Sequence, residues 1–438
     1  MFQYYFLLGL RSLRRNPALT ALMVLTLAIG VAASVSTLTI LHVMSGDPIP
    51  QKSDRLFVPL VDNGPTDGYK PGDEPNDDQL SYRDATNLLN SKIGERRTMI
   101  YGIALPIESA RKDVGAFIAQ GLAPTGDFFN MFDAPFLHGQ GWSPADDKAG
   151  ADVAVLNRKL ADKLYGDANP VGQRLTIAGF QYQIVGVLDK WNVVPRFHRI
   201  IGNDEGAFDE EDQLFVPFSN GIRHEYQRNG STSCTGDVAP GFQAFLDSEC
   251  TWIQGWIETR SAADRAELQS FMDSYAIEQR KLGRLKRAAP NMLYDVREWL
   301  DHMKVVGKDS KLSAWLAFGF LVLCLVNTIG LLLAKFSVRA AEVGIRRALG
   351  ASRREIFNQF LIETTVVGLV GGALGLLLAF GALALIAMQS KALTVVAHMD
   401  WIMLLTTFVM AVASAVLAGL LPTWRACQVT PALQLKSQ

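Results

Sequence analysis

Residues 312–357 read LSAWLAFGFLVLCLVNTIGLLLAKFSVRAAEVGIRRALGASRREIF: 23 residues without a charge, then a turn carrying six basic side chains. A bilayer core takes about 20 helical residues, so Leu312–Ala334 is long enough to span one. The same reading picks out Ala18–Leu41 and Trp401–Pro422, both uncharged, and Ile356–Met388, whose single charge is Glu363. Four transmembrane helices are expected. The first run follows Arg11, Arg14 and Arg15 and contains Ala32-Ala33-Ser34, a weak cleavage site. A cleaved signal peptide is therefore the alternative there, but its apolar region is only about 7–15 residues long, which favours an anchor.

Orientation follows from arginine and lysine, which favour the cytoplasmic side. Residues 1–17 hold three basic and no acidic side chains, 335–358 six and two, and 423–438 two and none. With four spans these segments share one side, so both termini are expected in the cytoplasm. Residues 44–311 then lie outside, with 30 basic and 39 acidic side chains. A chain with a formal charge of −1 overall is not built as a nucleic-acid binder. Phe2, Phe6, Leu10 and Leu13 recur at helical spacing beside the first arginines, as in a helix lying on a membrane surface.

The outer segment reads as α+β. Leu56–Val61, Val153–Leu156, Leu214–Pro217 and Thr251–Thr259 have strand character. Arg174–Ile177 and Tyr182–Leu188 suit a hairpin around Ala178-Gly179. Ser81–Leu89, Asn157–Tyr165 and Ala262–Leu285 have helical spacing. Residues 190–213 and 219–250 are polar, irregular and rich in glycine and acids, and read as loops or a small inserted subdomain near 190–250. Cys234 and Cys250 both fall outside. They are either two free thiols or a bridge closing a loop of about 15 residues, worth about 3 kcal/mol. Val296, Leu300, Met303 and Val306 fall near helical spacing. Residues 293–311 are therefore expected to be a stalk helix running into the second span, weakened at Gly307, or else a plain connection.

Val338, Ala341, Ile345 and Leu349 recur at three or four residues, so Lys335–Gly350 is expected to be one helix with Gly350 just past its end. Ser352 and Glu355 are spaced as a capping box for the next helix. The arginines serve the positive-inside rule and meet lipid phosphates, yet two capped helices make a sharper turn than a tether needs. In the third span, Gly368 and Gly372, and Gly371 and Gly375, form overlapping GxxxG pairs. In the fourth, Ala411, Ala415 and Gly419 share that spacing. Small residues let helices approach closely, within one chain or between two.

The sequence has no Gly-x-x-x-x-Gly-Lys-Ser/Thr, no His-Glu-x-x-His and no Cys-x-x-Cys, and its six histidines are scattered. No catalytic residue, metal site or cofactor of its own is expected. Glu363 lies near the cytoplasmic entrance of its span, where it can stay hydrated or pair with an arginine.

EVGIRRALGASRREI at 342–356, followed by QFLIE at 359–363, resembles the cytoplasmic loop of the MacB/FtsX-like family of ABC transporter permeases. LRSLRRNP at 10–17 resembles the family's start. GDFFNMF at 126–132, VAVLNRKLADKLYGDANPVGQRL at 153–175 and YQIVGVL at 182–188 resemble its periplasmic core, and LPTWRACQVTPALQLK at 421–436 its close. The resemblance implies an integral membrane fold with four transmembrane α-helices and a large α+β periplasmic domain inserted between helices 1 and 2. The expected parts are an amphipathic helix (1–17), TM1 (18–43), the periplasmic domain (44–292), the stalk (293–311) and TM2 (312–334). A coupling loop (335–355), TM3 (356–388), a short periplasmic loop (389–400), TM4 (401–421) and a tail (422–438) complete the chain.

By the same resemblance, Glu342, Gly344, Ile345, Arg346, Arg347, Ala348, Leu349 and Gly350 would form the surface that meets a cytoplasmic ATPase. That partner would bind ATP and Mg. Since the sequence starts at the amphipathic helix, the ATPase is expected to be a separate subunit. A second permease, identical or related, a periplasmic adaptor and an outer-membrane channel are the other implied partners, in a bacterial inner membrane. The expected work is export of amphipathic compounds or peptides. The alternatives are lipoprotein extraction and cargo-free signalling to a periplasmic cell-wall hydrolase.

Overall fold

The computed structural model describes residues 16–71, 73, 75, 77–109, 111, 113–200, 207–287, 291–388 and 401–427. The expected helix at 1–15, the loop at 389–400 and the tail beyond 427 lie outside these. The chain forms two compact units, Gly46–Val305 and a second made of Met1–Ser45 with Val306–Gln438.

The strands of the large unit are β1 (Leu56–Leu60), β2 (Leu80–Ser81), β3 (Arg96–Glu108), β4 (Phe117–Pro124), β5 (Phe136–Gly139) and β6 (Val153–Leu156). β7 (Arg174–Ile177), β8 (Phe180–Leu188), β9 (Leu214–Phe215), β10 (Thr251–Glu258) and β11 (Met292–Asp295) follow. They pair in the order β11-β1-β10-β3-β4-β9-β6-β8-β5, with β2 on β10 and β7 on β3 and β8. The β4–β9 and β6–β8 pairs are parallel and the others antiparallel. After α1 (Pro17–Met44) of the other unit come α2 (Tyr82–Asn90), α3 (Phe128–Met131), α4 (Pro144–Ala149), α5 (Arg158–Tyr165), α6 (Phe218–Arg223), α7 (Phe242–Asp247), α8 (Arg265–Lys281) and α9 (Val296–His302). Side-chain oxygens start several of these helices. Ser81 accepts the Asp84 amide, and Asn157 accepts that of Leu160. Every residue of β10 is buried, although TWIQGWIE alternates in polarity. A central strand covered on both faces buries both sets of side chains.

Within 190–250, the expected strand at Leu214–Pro217 appears as β9 inside the sheet, and Phe197, Ile200 and Phe208 are buried. The Trp256 and Trp299 indoles donate to the carbonyls of His198 and Phe197, both at 3.2 Å, which satisfies backbone oxygens that docking removes from water. The expected stalk helix is broken. Leu293 and Tyr294 pair with β1 as part of β11, and Asp295 then caps α9 in a box with Glu298. The chain turns through Lys304, at φ 52°, and a new helix starts after Gly307. Edge pairing and the burial of Val296, Trp299 and Met303 outweigh the helical spacing.

The second unit contains α1, α10 (Lys308–Val338), α11 (Ala340–Ala348), α12 (Arg353–Ala387) and α13 (Trp401–Cys427). Among the described residues α1, α10 and α12 are long and apolar enough to cross a membrane. α13 is a fourth helix, with Pro422 inside it. Glycines set the close approaches. A Cβ on Gly30 would sit 2.8 Å from the Cys324 Cβ on α10, and one on Gly375 would sit 3.0 Å from the Ala28 carbonyl on α1. Gly419 of α13 lies against Thr364 of α12. Ser34 donates across helices to the Ala317 carbonyl at 2.9 Å. Nearer α11, Met23, Leu332, Phe336, Val343 and Phe360 form one apolar cluster, with the two phenylalanine rings 4.3 Å apart.

Candidate functional site

The basic turn is an elbow of two helices. α10 carries on to Val338, so the single helix expected from Lys335 is divided at Arg339, where ψ rises to 7°. α11 buries Val343 and Gly344 and exposes Ile345, Arg346, Ala348 and Leu349. At its end the Gly350 amide donates to the Arg347 carbonyl (3.1 Å) and the Ala351 amide to that of Arg346 (3.0 Å), with Gly350 at φ 102°. This double closure is a Schellman motif, and it requires a positive φ where glycine stands. Ser352 and Glu355 then exchange hydrogen bonds as a capping box opening α12. The turn is thus specified at both ends within six residues, Gly350–Glu355.

The eight expected coupling residues differ in exposure. Arg346 is exposed, and it pairs with Glu342 at 2.6 Å and donates to Gln359 of α12 at 3.0 Å. Gly344 is buried and Arg347 half-buried. Ile345 and Leu349, 59% and 82% exposed, stand one turn apart on the outside of α11. They form an apolar pair turned outward on a charged helix.

Glu363 takes the ion-paired alternative. It is buried, with Lys335 Nζ at 2.7 Å and Arg339 Nη1 at 2.9 Å. The sequence reading offered an arginine partner for Glu363 but named neither Arg339 nor Lys335. Its available signal was the lone acid in an otherwise uncharged run.

Of the glycine pairs, Gly371 faces Leu27 and Gly375 faces Ala28 and Val31, so this face packs on α1 of the same chain. Gly368 and Gly372 are also buried. Cys234 and Cys250 are joined as a disulfide. Among the described residues no cluster of three or more His, Cys, Asp or Glu side chains is placed to hold a metal.

The large unit holds a second buried ionic group that the sequence reading missed. Asp212 lies 2.5 Å from Arg196, 3.5 Å from Arg199 and 3.6 Å from His198. Burial alone would raise the Asp212 carboxyl, but the arginine charges and His198 prevail and hold it below the usual carboxylate range. His198 shifts the other way. Burial among Phe128, Phe132, Trp191 and Phe197 pushes the imidazole down, toward the neutral form. The signal was RFHR, a basic-aromatic run in an acid-rich stretch.

Residues 20–274 match the MacB-like periplasmic core domain, and residues 314–431 the FtsX-like permease C-terminal domain. The chain belongs to the MacB/FtsX-like family of permeases. Among its curated relatives is the pyoverdine export ATP-binding/permease protein PvdT of Pseudomonas fluorescens, 24% identical over 85% of this chain and 50% of that protein. Another is the macrolide export ATP-binding/permease protein MacB of Marinobacter nauticus, 24% identical over 69% of this chain and 41% of that one. The chain thus spans about half the length of the curated relatives it matches, or less. The crystal structure of the periplasmic region of MacB from Actinobacillus actinomycetemcomitans aligns with 59% of this chain and 94% of that one. Its TM-score is 0.36 and its identity 13%.

Proposed function

We propose that this chain is the permease part of an ATP-driven exporter, and that α11 is where an ATP-binding subunit docks. The observation that carries the reading is the exposed pair Ile345 and Leu349 on a short helix capped at its far end. Its rigid setting allows a push on α11 to reach α10 and α12. Relatives named for export with ATP-binding and permease parts support the same reading. In it, ATP and Mg belong to the partner, and the chain itself is not an enzyme. α13 serves as a fourth span, and both termini and α11 lie in the cytoplasm, with the large unit in the periplasm. A second permease chain completes the pair of transmembrane halves. A periplasmic adaptor and an outer-membrane channel carry amphipathic compounds or peptides onward.

The test is retention of an ATPase. The chain, solubilised from its own cells, is expected to bring down an ATP-binding subunit, and Ile345→Asp/Leu349→Asp to lose it. Both side chains are exposed, so the change leaves the fold intact. Undiminished retention by the double variant would remove α11 from the contact. ATP hydrolysis by the purified chain alone would overturn the division of labour.

A further inference from the structure

The joint of the elbow is held from inside. Arg339 is the residue at which α10 stops and α11 starts. Its guanidinium does not turn out to solvent. It meets Glu363, about three turns into α12, through Nη1 at 2.9 and 3.2 Å from the two carboxylate oxygens. Lys335, four residues before Arg339 and fully buried, reaches the same carboxylate at 2.7 Å. One carboxylate therefore ties the last turn of α10, the joint residue and the body of α12 together. The Phe336–Phe360 ring pair packs the same two helices together.

Charges with so little water around them attract with little screening, and none can leave without stranding the others. A bare turn at Arg339 would be a hinge able to absorb changes in φ and ψ. The carboxylate removes that freedom on one side of α11, and the Schellman motif with the Ser352–Glu355 box removes it on the other.

We infer that Lys335, Arg339 and Glu363 are positioning residues that make α11 and α12 one moving body, so that a load on Ile345 and Leu349 is passed into α12 and not lost by bending at Arg339. Its purpose rests on the docking role proposed for α11; its geometry does not.

The test reads the α11–α12 geometry without any partner. Nitroxide labels go on Ala348→Cys and Asn358→Cys, both exposed positions, in the full chain carrying Cys324→Ala and Cys427→Ala and set in lipid nanodiscs. Pulsed EPR should give one narrow distance. Glu363→Gln should broaden it about twofold, as a freed hinge would. Glu363→Asp keeps the charge and should recover most of the narrowness, which a purely volumetric role for Glu363 would not produce. Should the single neutralisation fail to fold, Lys335→Met/Glu363→Gln removes both buried charges at similar volume and should broaden the distance likewise. A width unchanged by neutralising Glu363 overturns the inference. The docking reading fails separately, if the narrow-width parent chain retains no ATP-binding subunit.

Discussion

The Ser352 amide donates to the Glu355 carboxylate at 2.9 Å, and the Glu355 amide donates back to the Ser352 hydroxyl at 3.2 Å. The pair opens α12 two residues after Gly350 closes α11. Between them they set the direction in which α11 leaves the membrane helices. Ser352→Ala should cost about 1 kcal/mol, read as a lower midpoint for unfolding in detergent. Gly350→Ala should cost about 1–2 kcal/mol through backbone conformation alone, since nothing lies within 4 Å of the added methyl. Equal stability of the parent and both variants would show that the turn is held elsewhere.

Helix approach gives a sharper contrast. A methyl on Gly30 would meet the Cys324 Cβ at 2.8 Å and Sγ at 3.0 Å, whereas Gly381 has nothing within 4 Å. Gly30→Ala should destabilise the chain by about 1–3 kcal/mol, as overpacking does. Gly381→Ala should be neutral or gain up to about 1 kcal/mol from helix propensity. Measuring both by the same denaturation assay removes the common effect of replacing glycine.

The Cys234–Cys250 bridge spans 16 positions and ties the segment before α7 to the start of β10. Cys234→Ser/Cys250→Ser should lower the stability of the chain by about 3 kcal/mol. Thermal unfolding of the parent with and without a reductant should reproduce the difference, and the double variant should show no response to the reductant.

Acid should act through His198 first. Its folded-state pKa is lowered by burial, so the unfolded chain takes up a proton that the folded chain refuses. Stability then falls as pH drops below the unfolded value of about 6.5, approaching 1.4 kcal/mol per pH unit for one proton. His198→Phe should flatten that slope between about pH 6.5 and 5. Asp212 has a depressed folded-state pKa, so its contribution is full above the unfolded value and is lost only below about pH 4. Asp212→Asn strands Arg196 and Arg199 and should cost about 3–5 kcal/mol at neutral pH, measured as a lower denaturant midpoint.

Much of the candidate site was legible because its parts are local. The box between Ser352 and Glu355, the closure at Gly350 and the hairpin at Ala178-Gly179 all depend on residues within about six positions, and their side-chain chemistry is written there in order. The division of α10 from α11 was not legible. Helical spacing runs straight through Arg339, and the carboxylate that anchors it is 24 residues away. The stalk was misread for a related reason. Leu293 and Tyr294 have a strand partner only because β1 is there to pair with them.

By itself, the sequence determined where the apolar helices lie, that the outer segment mixes strands and helices, and how the basic turn is capped. These follow from hydrophobic run length and from hydrogen bonds closed within one or two turns of chain. Only the tertiary structure decided that Phe197, Ile200 and Phe208 are buried, that the Gly371 and Gly375 face packs on α1, and that Glu363 gathers Lys335 and Arg339. Each of those rests on partners tens to hundreds of residues apart, as with Trp256 and His198, 58 positions apart, or Ser34 and Ala317, 283 apart. A one-dimensional pattern records that such a side chain needs a partner, and only the folded chain supplies which one.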